Sequence, residues 1–116
     1  MTVRILSRAS TMPSRLLGAA LRRVDPVRYA RLLGVRVGDR CKLISTNFGS
    51  EPYLVTLGNH VEVTDGVRFI THDGAVWVLR EQYPDIDVLA PIVVEDNVFI
   101  GMNAIILPGV TIGANS

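Results

Sequence analysis

Through the second half of the chain a large apolar residue returns every six positions. Leu57, Val63 and Phe69 open three consecutive hexads, and after an interruption Val94, Ile100, Ile106 and Ile112 open four more. An amphipathic helix would space its apolar residues by three and four, and a half-buried strand by two. Six is neither, so the unit is a repeat. Gly58, Gly101 and Gly113 follow the opening residue, and compact Val61, Val67, Val98, Ala104 and Val110 come four after it. One large inward residue per hexad, a compact one near the next corner and glycine where a turn needs unusual backbone angles predict short strands around a narrow interior. Three hexads then close one triangular coil of a parallel β-helix.

Upstream, Val37-Gly-Asp-Arg-Cys-Lys and Leu43-Ile-Ser-Thr-Asn-Phe read as the first hexads, and residues 49–56 as a longer, irregular connection. Cys41 occupies the compact position of its hexad and reads as a packed thiol. One cysteine cannot form an intrachain disulfide, which agrees with a reducing compartment. Residues 75–90, which include Trp77 and Tyr83, break the repeat and must loop out of the stack. The division expected is a basic helical segment over residues 1–34 and a coil domain over 35–116.

The first segment has a helical pattern. Residues 1–12 show no clear periodicity and read as ragged or flexible. From Pro13 to Val24, Leu16, Leu17, Ala20, Leu21 and Val24 fall on one side of a helix whose other side carries Arg15, Arg22 and Arg23. Asp25-Pro26 reads as an N-cap with proline at the first helical position, and Gly34 as the stop of a second short helix. The net charge of +1 conceals an asymmetry: eight arginines and one acid precede Val37, about +7 against about −6 for the remainder. A basic amphipathic helix can cover the open end of the solenoid, bind an acidic partner or lie on an anionic membrane. Covering the first coil is the preferred expectation, and membrane contact the minority one. The segment has neither a secretory apolar core nor a run long enough to span a bilayer, so a cytoplasmic protein is expected. Composition, 48% hydrophobic and 20% charged, is that of one globular domain.

Val94-Glu-Asp-Asn-Val-Phe, Ile100-Gly-Met-Asn-Ala-Ile, Ile106-Leu-Pro-Gly-Val-Thr and Ile112-Gly-Ala-Asn resemble the hexapeptide-repeat acyltransferases. That family includes the maltose, galactoside, serine and xenobiotic O-acetyltransferases. The resemblance implies a mainly β fold, a left-handed parallel β-helix preceded by short N-terminal α-helices. It also implies a homotrimer with sites between subunits and acetyl-CoA as acyl donor. Family members continue through further coils, whereas this chain stops within a hexad, so a truncated form with an open last coil is expected.

The two histidines, His60 and His72, both lie three after the opening residue of a hexad, where side chains should point outward near a corner. His72 immediately precedes the interruption, after which Pro91-Ile92 leads back into the coil. The resemblance makes such a histidine the general base that deprotonates an acceptor hydroxyl or amine attacking the thioester. An unperturbed imidazole pKa of about 6.5 suits it to that exchange at neutral pH. The role carries to His72, while His60 reads as a surface residue. Asp65, Glu62 and Asp73 are the candidates to orient the ring, with none preferred. Asn47, Asp73 and Trp77 are candidate acceptor contacts, and Gly101 and Ala104 candidate positions along the acyl-CoA groove.

The leading expectation is an acetyltransferase acting on a sugar or small polar acceptor, as in surface polysaccharide building. The alternative is a non-catalytic β-helix scaffold or an inactive remnant. A zinc-dependent β-helix enzyme would need three histidines where the chain has two, so no metal is expected. Nucleic-acid binding has only the arginines in its favour, without aromatic or motif support.

Overall fold

The computed structural model describes residues 15–116. The expected disorder of residues 1–12 and the expected helix start at Pro13 lie outside the described residues. Helix α1 covers residues 15–24 and α2 Pro26–Leu33. Nine short strands follow: β1 (Arg36–Val37), β2 (Lys42–Leu43), β3 (Val55–Leu57), β4 (Val61–Val63), β5 (Arg68–Phe69), β6 (Ile92–Val94), β7 (Val98–Ile100), β8 (Ile105–Ile106) and β9 (Thr111–Ile112). They stack into three parallel sheets ordered β1-β3-β6-β9, β2-β4-β7 and β5-β8. Because each strand pairs with one a full turn away, the chain is a three-sided parallel coil.

The pairing register measures each turn. Val93 pairs with Thr111, eighteen positions on, which is three hexads. Arg36 pairs with Thr56 and Val55 with Ile92, so the earlier turns are longer by two residues and by nineteen. The two excesses fall in residues 49–54, which include a 3-10 turn at Pro52–Leu54, and in the loop between β5 and β6. The first coil also departs from the expected hexads: Asn47 bridges Arg68, so Phe48 stacks under Phe69 with ring centroids 5.2 Å apart. The inward Phe48 therefore follows the inward Leu43 by five positions instead of six. Ser45 is buried by this shortened hexad and donates to the carbonyl of Val67 at 2.6 Å.

Leu57, Val63, Phe69, Val94, Ile100 and Ile106 are all buried, as are Val61, Val67 and Val98 beside them. Cys41 packs against this core and its Sγ donates to the Gly58 carbonyl at 3.1 Å. Gly58, Gly101 and Gly113, which follow the opening residues, do not adopt the unusual backbone angles expected of them. Left-handed backbone is adopted instead two positions on, by Arg40, His60, Asn97 and Asn115, with φ between 56° and 63°. Gly58 is required by close approach: a Cβ there would collide with Asp96, whose Oδ1 accepts the Asn59 N–H at 2.7 Å.

The helices also differ from expectation. Asp25 caps α2 through the Arg28 N–H at 3.1 Å, and Gly34 ends it with φ 111°. Ala30 is buried against the first coil, and Arg31 clamps the helix there by donating to the carbonyls of Val37 and Gly38 at 2.9 Å. So α2 covers the coil. Helix α1 does not: Leu16, Leu17 and Val24 stand in solvent.

Candidate active site

Both irregularities of the coil meet at one corner. Gly49, at φ 77°, passes so close to the next turn that a Cβ would lie 2.6 Å from the Phe69 carbonyl and 3.0 Å from Thr71 Oγ1. Only glycine accepts both the backbone angle and the approach. The turn it makes lays Glu51 against Thr71, which is fully buried. Thr71 Oγ1 donates to Glu51 Oε1 at 2.7 Å and accepts the Glu51 N–H at 3.3 Å, and the Ser50 hydroxyl donates to the same oxygen at 3.0 Å.

The other carboxylate oxygen faces His72. Nδ1 lies 3.4 Å from Glu51 Oε2, with 34% of the histidine side chain and 13% of the glutamate side chain exposed. The Thr71 hydroxyl chiefly, with help from Ser50 and His72 and against the opposing effect of burial, holds the Glu51 carboxyl below its ordinary pKa. An ionised carboxylate can only accept, so in the tautomer with its proton on Nδ1 the ring donates to Glu51 and its Nε2 lone pair points away from that residue. The distance is at the long end for a hydrogen bond.

The loop supplies the opposite wall. His72 bridges Leu89, with the Asp73 N–H donating to Val88 at 2.8 Å and the Ala90 N–H to Thr71 at 3.1 Å. This antiparallel closure lets the loop leave the stack and return without unravelling the coil. It places Asp87 Oδ1 3.4 Å from His72 Nε2, with Arg80 Nη2 3.7 Å from the same oxygen. Arg80 is itself fixed by donating to the Pro84 carbonyl at 2.7 Å.

Of the residues singled out in the sequence, His72 sits at the centre of this corner. Asp73 caps the 3-10 helix Gly74–Leu79 through the Ala75 N–H at 2.8 Å and does not orient the ring. Glu62 lies on β4 beside Lys42 and Phe99, and the Asp65 carbonyl accepts from Asn103, so neither is the ring's partner. Trp77 is exposed on the loop, lining a shallow cavity with Val78, Arg80 and Glu81. Asn47 extends the third face beside Arg68. Gly101 and Ala104 form a corner turn of the following coil, with open space around Gly101 and Ala104 against the core. Glu51, Asp87 and Arg80 were not singled out. Glu51 sits in a stretch without period, and only the absence of a reason for an acid there could have drawn notice. Among the described residues no cluster of three or more His, Cys, Asp or Glu is placed to hold a metal ion.

The described chain is thus a coil of six-residue units with an imidazole–carboxylate pair at the foot of its long excursion. Residues 91–116 match the family described as bacterial transferase hexapeptide (six repeats). The chain is 58% identical over 84 residues to Protein CapG of Staphylococcus aureus, covering 70% of this chain and 49% of that protein. It is 38% identical over 63 residues to a Schizosaccharomyces pombe (strain 972 / ATCC 24843) protein named "Putative acetyltransferase C18B11.09c", covering 54% of this chain and 30% of that one. No solved structure matches. Over residues 91–116 the chain carries the hexapeptide repeat of that transferase family. It spans half or less of the length of these curated relatives.

Proposed function

We propose that the protein transfers an acyl group, acetyl by preference, from coenzyme A to a hydroxyl or amino group of a sugar or similar polar acceptor. The observation that carries this reading is the His72–Glu51 pair, with a buried hydroxyl locking the carboxylate and a loop walling the opposite side. Nε2 of His72 takes the proton from the acceptor O–H or N–H as that atom attacks the thioester carbonyl. The tetrahedral intermediate collapses with cleavage of the C–S bond, and the departing thiolate takes the proton back from the imidazolium. The products are acylated acceptor and free coenzyme A thiol. Glu51 fixes the tautomer and stabilises the cation formed in between. Asp87, beside Nε2, borders the place where the acceptor must arrive, and the exposed rings of Trp77 and Tyr83 offer faces for a sugar.

The reading includes the family's assembly: a left-handed coil, three copies, and acyl-CoA along the groove between neighbours. Surface polysaccharide building is the process such an activity would serve. The test is thiol release from acetyl-CoA by the purified trimer over a panel of sugar and amino-sugar acceptors, with His72→Ala alongside. Acceptor-dependent release abolished by the substitution is the expected result. A folded trimer that binds acetyl-CoA and releases no thiol with any acceptor would favour a non-catalytic scaffold.

A further inference from the structure

Helix α1 is the part of the described chain that neither the coil nor the site accounts for. Its apolar residues Leu16, Leu17, Ala20, Leu21 and Val24 share one side, and on that side Leu16, Leu17 and Val24 are 74%, 70% and 84% exposed. Only Gly18 and Leu21 are partly covered, in a groove lined with Leu17 and with Tyr29, Leu32 and Leu33 of α2. Leu32 is 71% exposed, so the apolar surface continues from one helix to the next. Tyr53, also exposed, lies against Gly34 at its edge.

The charges around this surface have one sign. Arg15, Arg22 and Arg23 occupy the other side of α1, and Arg28 and Arg36 follow on and after α2. The one acid before Val37, Asp25, is engaged in capping α2. A one-helix apolar stripe with arginines along its margins and a tyrosine at its rim is the composition of a helix that lies in a lipid–water interface. No helix of the described residues is long and apolar enough to cross a membrane. We propose that the α1–α2 hairpin docks on the surface of an anionic lipid bilayer, with Leu16, Leu17, Val24 and Leu32 entering the acyl boundary and the arginines meeting lipid phosphates. Since α2 is clamped to β1 through Arg31, docking would set the first coil of the solenoid toward the membrane.

The proposal favours a bilayer over an acidic protein partner because a bilayer presents a continuous apolar layer beside a uniform negative plane. The test is co-sedimentation of the full chain with vesicles of phosphatidylcholine alone and with phosphatidylglycerol added, at low and high salt. Binding to the anionic vesicles, weakened by salt and by about tenfold or more in Arg22→Glu/Arg23→Glu, is expected. Leu16→Glu/Val24→Glu should abolish it with an unchanged circular dichroism spectrum, since neither side chain supports the coil. In a Trp77→Phe background, Leu17→Trp should blue-shift on adding anionic vesicles. Absence of binding by the folded chain, or binding indifferent to lipid charge and to the arginine reversals, would overturn the proposal. Self-association removed by Leu16→Glu/Val24→Glu, without vesicle binding, would overturn it in favour of an interface between copies.

Discussion

His60 and His72 occupy the same place in their hexads, and the fold gives them different surroundings. His60 stands at a regular corner, at φ 56°, and its Nδ1 meets Asn97 Oδ1 at 3.0 Å while Asn97 donates onward to Asn115 at 2.9 Å. Arg40, His60, Asn97 and Asn115 follow one another up this edge, and what they share is the left-handed backbone. The corner asks for that conformation and tolerates different side chains in it. His72 stands where the coil has been lengthened twice, by the connection carrying Glu51 and by the loop carrying Asp87. Regular stacking brings like residues over like and satisfies them. Where stacking fails, unlike residues from distant turns converge, and a chemical site becomes possible.

The sharpest way to separate the two corners is to place the same residue in each. His72→Asn should lower acyl transfer about 10³-fold, the size of a lost general base, whereas His60→Asn should leave the rate within about twofold because asparagine suits its backbone. Thiol-release kinetics on both variants decides this, and an equal loss in both would erase the distinction. Glu51→Gln keeps the shape of the pair and removes its charge, so the rate should fall about 10²-fold with little change in acetyl-CoA affinity. Steady-state kinetics separates the two quantities.

The irregular corner should also be the less forgiving structurally. Gly49→Val adds a β-branched side chain at positive φ and against a backbone carbonyl, and should cost about 2–4 kcal/mol in denaturant unfolding. His60→Gly, at a left-handed position on an exposed edge, gives up one exposed side-chain contact to Asn97 and should change stability by about 0.5 kcal/mol or less. The smallest effect is that of pH. Because folding lowers the Glu51 pKa, the unfolded chain binds its proton first, so stability rises with pH through that range. Any stability that wild type holds over Glu51→Gln at neutral pH should therefore persist above the ordinary carboxylate range. It should vanish as pH falls through the lowered value, as thermal unfolding in a pH series would reveal.

Much of this was legible from residue spacing. The inward set from Leu57 to Ile106, the outward placement of both histidines and the excursion after His72 all follow from a period of six. The period fails as a guide in residues 43–56. There a five-residue hexad puts Phe48 under Phe69, and a nine-residue passage to Leu57 follows. No pattern announces either length, so Glu51 could not be assigned to the corner of His72. The nearer acids, Glu62, Asp65 and Asp73, drew attention by proximity along the chain. Asp73 then proved to be engaged in starting the loop's first helical turn.

The amphipathic pattern of α1 was equally clear, and what it covered was not. A helical wheel shows which side is apolar, but not which of two adjacent helices reaches the coil. That was decided by Arg31, whose guanidinium holds α2 on the carbonyls of Val37 and Gly38 and leaves α1 outside. By itself the sequence determined what repeats, because apolar spacing is a local property that each strand expresses alone. Tertiary structure decided the Glu51–His72 pair and the open face of α1. Both depend on how turns of unequal length close on one another, and the free energy that selects that closure comes from contacts between residues far apart in the chain.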